Sequence, residues 1–250
     1  MSGHSKWAGI KHKKAVVDAR RGQAFTRLSR EVTIAAREGG GSPDGNFRLR
    51  LAIQKAREAN MPADKIDAAV KRGTGELAGE RLEELRYEGY GPAGVAIMVD
   101  VVTDNRNRTS ASLRHIFSKH GGNLGDSNSV AWMFDRKGVL EVEAGGGAEE
   151  AGLAAIEAGA EDVRVDGRSL EVTTGPGELE AVREAVRALG AAVENAEVTM
   201  QPRTSVVVEE DKAAAVLRLL EALEEDDDVQ QVYANFDIPA EVLERISAQV

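Results

Sequence analysis

Residues 137–202, KGVLEVEAGGGAEEAGLAAIEAGAEDVRVDGRSLEVTTGPGELEAVREAVRALGAAVENAEVTMQP, decide the fold of this 250-residue chain. Val139 to Val142 reads as a strand and Ala148 to Ala158 as a helix. Val163-Arg164-Val165 and Leu170-Glu171-Val172 read as the arms of a hairpin, turning on Asp166-Gly167-Arg168. Leu179 to Leu189 has helical spacing, and a last strand runs over about 193–200. The order β-α-β-β-α-β is that of a complete ferredoxin-like unit.

Outward from this block, the pattern on each side is half of such a unit. Upstream, Val95, Ile97, Val99 and Val101 alternate in the manner of a strand. Leu113, Ile116 and Phe117 mark a helix, and Ser129 to Phe134 reads as a second strand. Downstream come a strand at Ser205–Val208, a helix at Lys212–Leu223 and a strand at Val229–Phe236. A lone β-α-β makes a sheet too small to bury its helix. The economical solution joins the two halves, giving an α/β domain of residues 79–136 plus 203–250 with an acidic α/β domain, 137–202, inserted between them. The rival is two consecutive α/β domains with no insertion.

Residues 1–78 read as helices. Gly22 interrupts the first stretch, Phe25, Leu28, Val32 and Ala35 form an apolar stripe, and Gly39-Gly40-Gly41 ends it. Leu49, Ala52, Ile53 and Ala56 mark a second helix, and Ile66, Ala69 and Val70 a third, with Pro62 in its first turn and Gly73 at its close. Three single-striped helices make a small bundle, and the whole is an α+β fold.

Charge is divided along the chain. Residues 1–75 hold 16 Lys and Arg against 7 Asp and Glu, whereas residues 76–250 hold 16 against 35. A basic block of this density implies a polyanionic partner, of which nucleic acid is the commonest. The alternative is that it docks on the chain's own acidic half. Lys6, Lys11, Lys13 and Lys14 crowd around Trp7, and Arg20, Arg21, Arg27 and Arg30 continue the track. Ammonium and guanidinium groups attract phosphates regardless of sequence, and an indole can stack on an unpaired base or pin the arm to the core.

A second candidate lies at Asp104-Asn105-Arg106-Asn107-Arg108-Thr109, where a strand passes into a helix. Exposed backbone N–H groups at a helix start, with Arg106 and Arg108 beside them, make a phosphate seat. Otherwise Thr109 or Asp104 caps the helix and the arginines pair with Asp100 or Glu88. Tyr87 and Tyr90, just before the same strand, either stack on bases or pack a turn. The acidic runs Glu149-Glu150 and Glu224 to Asp228 read as solvated helix surface.

Catalytic signatures are missing. The sequence has no GxxxxGK[ST], no GxGxxG opening a βαβ unit, no GxSxG and no HExxH. It has no cysteine, and His4, His12, His115 and His120 are not spaced as a metal site. No apolar run is long enough for a membrane helix. The reading is a cytoplasmic, monomeric binding protein without a cofactor, not an enzyme.

The segments GHSKWAGIKHKK, ARRGQAFTRLSREVTIAAREGGG, RLRLAIQKAREANMP, KRGTGE, RYEGYGPAGVAIMV, TDNRNRT and RHIFSKHGGNLG, nearly continuous over 3–138, resemble the YebC/PmpR family. That family includes the mitochondrial translational activator of cytochrome c oxidase subunit I. The chain departs from the family's usual pattern at Gly9, Ala93 and Asp126-Ser127-Asn128. The resemblance implies a helical N-terminal domain followed by two α/β domains, one interrupted by the other. It also implies a role in gene expression. Some members are described as DNA-binding transcriptional regulators, and others act on ribosomes and relieve stalling at proline runs. It would place Lys6 to Arg30 against nucleic acid and turn Tyr87–Pro92 and Asn105–Thr109 to the facing side.

The residues favour translation. The basic helices are rich in Lys and Arg and poor in the amides that read base edges, which suits phosphate contact. The acidic remainder would be repelled by a long duplex but could sit beside basic ribosomal proteins. The expected partner is therefore ribosomal RNA or tRNA, with promoter DNA as the alternative.

Overall fold

The computed structural model describes residues 18–79 and 81–239, together with 242 and 245. Those residues form an α+β fold with seven α-helices and two four-stranded antiparallel sheets. Trp132–Ser205 make one compact unit, and the described parts of 2–131 and 206–250 make the other.

In the larger unit, α1 (Asp18–Gly39), α2 (Phe47–Glu58) and α3 (Ala63–Thr74) form a bundle. Gly22 does not interrupt α1, which runs through it: one glycine costs a helix only about 1 kcal/mol. The apolar stripes meet in a core of Val32, Ala35, Ala36, Leu49, Ala52, Ile53, Ala56, Met61, Ile66 and Ala69. Buried Asn46 fixes the turn between α1 and α2. Its Oδ1 caps α2 by accepting from Leu49 N (3.0 Å), while its Nδ2 donates to the carbonyls of Ala35 (2.7 Å) and Gly40 (2.9 Å). A Cβ at Gly73 would lie 2.3 Å from the Thr33 carbonyl oxygen, so glycine there sets how closely α1 and α3 approach. The third helix ends one residue past Gly73, with Gly75 left-handed beyond it (φ 83°).

The same unit holds a sheet of β1 (Glu83–Tyr90), β2 (Ala96–Thr103), β3 (Asn123–Leu124) and β9 (Val229–Ala234), in the order β3-β1-β2-β9. Two helices, α4 (Arg106–Lys119) and α7 (Glu210–Glu224), cover one face of this sheet. Ile97, Val99 and Val101 pack there on Leu113, Phe117, Leu219, Leu220 and Leu223. On the other face, Val102 clusters with Ile34 of α1 and with Leu82. The two halves of the chain therefore share one sheet, since β2 pairs antiparallel with β9.

Two of the expected strands are different. The expected strand Ser129 to Phe134 does not form: Ala131–Met133 is a 3₁₀ turn, Phe134 belongs to the inserted unit's sheet, and the short β3 carries the pairing instead. Ser205–Val208 contributes only β8 (Val206–Val207), which pairs parallel with β10 (Phe236–Asp237) outside the main sheet. The place that a ferredoxin-like sheet reserves for its third strand is taken by β1, which pairs with β2 from Glu83↔Thr103 to Tyr90↔Ala96. The reason is length: a two-residue strand cannot span the sheet, and eight-residue β1 can.

The inserted unit holds β4 (Phe134–Glu143), α5 (Ala148–Glu157), β5 (Ala160–Asp166), β6 (Ser169–Thr174), α6 (Leu179–Ala188) and β7 (Ala192–Pro202). Its sheet order, β5-β6-β4-β7, is ferredoxin-like. The hairpin turns at Gly167 (φ 64°), and Leu140, Val142, Leu170 and Val172 pack on Ala151, Ala155, Leu179, Val182 and Val186. Its two ends meet, because Phe134 is the register partner of Pro202.

Candidate nucleic-acid interface

Helix α1 carries Arg27 and Arg30 toward the end of α7 and the loop after it. Arg27 donates to the Glu224 carbonyl and to that of Asp226 (3.2 Å). Arg30 donates to the carbonyls of Asp227 (2.6 Å) and Val102 (3.2 Å) and pairs with Asp228 Oδ1 (3.0 Å). Carbonyls at a helix C-terminus carry partial negative charge, so two guanidiniums are well placed there. Burial pushes the Arg27 guanidinium below its ordinary value, against the opposing pull of Glu224, Asp227 and Asp226.

Asp228, expected to be solvated, is 4% exposed, and four side chains donate to its carboxylate. Thr109 Oγ1 donates to its Oδ2 (2.7 Å), as does Thr103 Oγ1 (3.2 Å). Arg108 Nη2 reaches both oxygens (3.0 and 3.2 Å), and Arg30 reaches Oδ1. The backbone N–H of Asp228 itself donates to Asp226 Oδ1 (3.0 Å). Burial favours the neutral acid, but the hydrogen bonds from Thr109 and Arg108 and the charges of Arg108 and Arg30 outweigh it. The Asp228 carboxyl is held below the ordinary aspartate value.

At the start of α4, the cap is Asn105, whose side chain accepts from Arg108 N (3.1 Å). Arg108 pairs with Asp104 (2.8 Å) as well as with Asp228, and its pKa is raised by those two carboxylates. Arg106 and Asn107 are exposed, and among the described residues Arg106 pairs with no carboxylate. Tyr87 is joined to this corner by its hydroxyl, which donates to the Arg106 carbonyl (3.4 Å). Tyr90, three residues on, belongs to the opposite side of the strand and donates to the Ser129 carbonyl (3.1 Å). Asp100 pairs with Arg86 (2.6 Å), and Glu88 accepts from the N–H groups of Asn128, Val130 and Ala131 (each 2.7 Å).

The structure thus gathers Tyr87, Asn105, Arg106, Asn107 and Arg108 at one corner and ties Arg27 and Arg30 into the interior of the unit. Lys6, Trp7, Lys11, Lys13 and Lys14 lie outside the described residues. Arg20 and Arg21 lie on the first turns of α1, and their side chains are not among those described.

Sequence reasoning passed over a second group of cations. A cleft of about 630 Å³ runs between α1 and α3, with Ala78, Gly79 and Leu82 also in its lining. Among the described residues it is lined by Phe25, Thr26, Ser29, Arg30, Lys65 and Arg72, and by no acidic side chain. The available signal was the seven-residue interval between Lys65 and Arg72, which puts both on one side of α3. Among the described residues, no helix is long and apolar enough to cross a membrane, and no group of three His, Asp or Glu could hold a metal ion.

Comparison with known proteins gives this arrangement a lineage. Residues 5–76 match the model of the TACO1/YebC protein N-terminal domain, and residues 82–236 that of the TACO1/YebC second and third domain. The chain belongs to the TACO1/YebC family. A relative from Moorella thermoacetica, named "Probable transcriptional regulatory protein", is 56% identical over 98% of this chain and 99% of its own. One of the same name from Natranaerobius thermophilus is 54% identical over the same shares. The crystal structure of a conserved hypothetical protein from Aquifex aeolicus matches with a TM-score of 0.80. It is 51% identical and covers 90% of this chain and 93% of that one. The fold described above is therefore shared by a chain solved by crystallography.

Proposed function

We propose that this YebC-family chain is a nucleic-acid-binding regulator of gene expression that works in the cytoplasm on the translating ribosome. It binds ribosomal RNA or tRNA and relieves stalled synthesis, as at proline runs. The observation that carries this reading is the separation of charge: 16 Lys and Arg against 7 Asp and Glu over residues 1–75, with an acidic remainder. Internal pairing absorbs Arg27, Arg30 and Arg108, and leaves Lys65, Arg72 and Arg106 without a carboxylate partner among the described residues.

In this reading the helical domain, 1–78, grips RNA phosphates. The middle domain, 79–136 plus 203–250, offers Arg106 and Asn107 at the start of α4 to a second phosphate. The inserted domain, 137–202, stays clear of the polyanion or meets a basic ribosomal protein. Such a protein helps the reaction by holding its substrates in place, and supplies no acid or base. The relatives' name favours a second reading, regulation of transcription through promoter DNA.

Reconstituted translation of a message with a proline run tests the choice. The protein should shorten the stall, and Arg106→Ala with Asn107→Ala should reduce that rescue several-fold while overall RNA affinity falls less. An unchanged stall, together with tight binding to one promoter fragment over scrambled DNA of equal length, would establish the transcriptional reading instead.

A further inference from the structure

We propose that the outward face of α4 docks on the backbone of double-helical RNA, with Arg106 and Arg114 on phosphates and Ser110 and Ser118 on ribose 2′-hydroxyls. The proposal rests on the nucleic-acid-binding reading and extends its second contact from the start of α4 along the whole helix. Charge singles this helix out. Residues 76–250 carry 35 Asp and Glu, yet residues 105–125 carry none and hold four Lys and Arg. A solvated helix face ordinarily mixes the two signs. On α3 and α6 it does: Lys71 pairs with Asp67 (2.7 Å), Arg183 with Glu180 (2.6 Å) and Arg187 with Glu184 (3.7 Å). On α4 the positions three and four residues from Arg114 hold Ser110, Ala111, Phe117 and Ser118, none of which can neutralise it. Among the described residues, neither Arg106 nor Arg114 pairs with a carboxylate.

The stability of the unit gives these two arginines no task. Arg108 is taken by Asp104 and Asp228, and Lys119 lies in the last turn, where carbonyls attract a cation. Arg106 stands in the first turn, where the helix dipole disfavours positive charge, and Arg114 is exposed in the middle. Thr109, Leu113 and Phe117 bury the inner face of α4. Arg106, Ser110, Arg114 and Ser118 follow one another at intervals of four, so they form a single ridge that winds onto the outer side. Each step rises about 6 Å, which makes the ridge about 18 Å long. Ala111, exposed beside it, ends at a methyl group and lets a sugar approach.

The occupant follows from this alternation of guanidinium and hydroxyl. The wide, shallow minor groove of A-form RNA presents 2′-hydroxyls flanked by phosphates, which accept from such a row. An unpaired base would find no ring to stack on, since Phe117 is fully buried, and the ridge has no carboxamide to read a base edge. Binding is therefore to shape and backbone, indifferent to sequence.

The test uses the full chain and two RNA hairpins of unrelated sequence, each with a stem of about 16 base pairs. Duplex DNA of the same sequences and an unstructured single strand are bound in parallel. Arg114→Gln should weaken both hairpins several-fold and equally, and lower the salt slope of log affinity by about one. Arg114→Lys should restore the slope. Arg164→Gln, which removes an exposed arginine of the inserted unit, should leave it unchanged. Ser110→Ala with Ser118→Ala should cost the hairpins more than the DNA, which lacks the 2′-hydroxyl. An unchanged slope in Arg114→Gln, or an equal fall in Arg164→Gln, would show that α4 is not the seat although the chain binds RNA. Equal affinity for duplex DNA, with an equal loss in Arg114→Gln, would overturn the assignment to RNA and favour promoter DNA. Binding of the single strand without the hairpins would overturn the docking surface and leave the broader reading standing. If the wild type binds none of these, the broader reading fails as well.

Discussion

At the scale of single residues, Asp228 decides how the basic face is to be read. It draws Arg30 and Arg108 inward, so these two cations stabilise the unit and are not freely offered to phosphate. Removing one member of a buried charge group leaves the others uncompensated, typically at 3–5 kcal/mol. Arg108 is half exposed and can turn to water, so Asp228→Asn is expected to cost less, about 2–3 kcal/mol in denaturant unfolding. The pH dependence follows from the direction of the shift. The folded carboxyl titrates below its ordinary value of 3.8, so its contribution is complete above that pH and is lost as pH falls through the lower, folded value. Unfolding curves between pH 6 and pH 2 should therefore converge for wild type and Asp228→Asn at the acid end. Parallel curves would mean that the carboxylate charge is not what holds the arginines. The run Glu224 to Asp228 looked solvated in the sequence because five consecutive acids give no periodicity, and nothing local reveals that α1, about 200 residues earlier, supplies the counter-charges.

Among the elements, β1 was the hardest to read and holds the middle sheet together. Its residues, Glu83 to Tyr90, include three glutamates, an arginine and a glycine, so alternation of Leu85 and Tyr87 against charged neighbours is faint. The run Val130 to Phe134 is apolar and resembles a strand, but Glu88 captures the N–H groups of Val130 and Ala131, and these cannot join a ladder. The strands legible in the sequence, β2, the second half of β4 and the start of β6, are stretches with Val, Ile or Leu at successive inward positions. Gly89 shows how tightly β1 is held. A Cβ there would lie 2.6 Å from the Asn123 carbonyl and 2.8 Å from the Phe117 ring. Gly89→Ala should therefore cost about 1–3 kcal/mol, the usual range for overpacking. Amide exchange should quicken first at Asn123 to Gly125, where β3 and the following turn bond to β1. Exchange that quickens uniformly would indicate that β3 is no more than a passive edge.

For the whole molecule, insertion of one α/β unit into another was legible because the inserted block is complete in itself: six elements, two helices and a closed core. The bundle was legible from its three apolar stripes, which meet in one core. The internal ion pairs and the α1–α3 cleft were not, since each depends on which helix faces which. Completeness of the insert has a physical consequence. Its first and last strands pair along their length, from Phe134↔Pro202 to Glu143↔Ala192, and Arg203 N donates to the Met133 carbonyl (2.9 Å). The two points where the chain enters and leaves it are thus adjacent, and a short loop closes such a gap at small entropic cost. Replacing residues 137–202 with a four-residue Gly/Ser linker should leave the bundle and the β3-β1-β2-β9 sheet folded, with cooperative thermal unfolding by circular dichroism. The excised protein also loses an acidic surface of 14 Asp and Glu against 5 Lys and Arg over 137–202. On the proposed reading, in which the basic bundle makes the phosphate contacts, its affinity for single-stranded RNA at low salt should therefore rise or hold, because the lost charge only repels. Excision that leaves circular dichroism native but removes RNA binding would assign the contacts to the insert, and would overturn the division of labour between a gripping bundle and an acidic appendage.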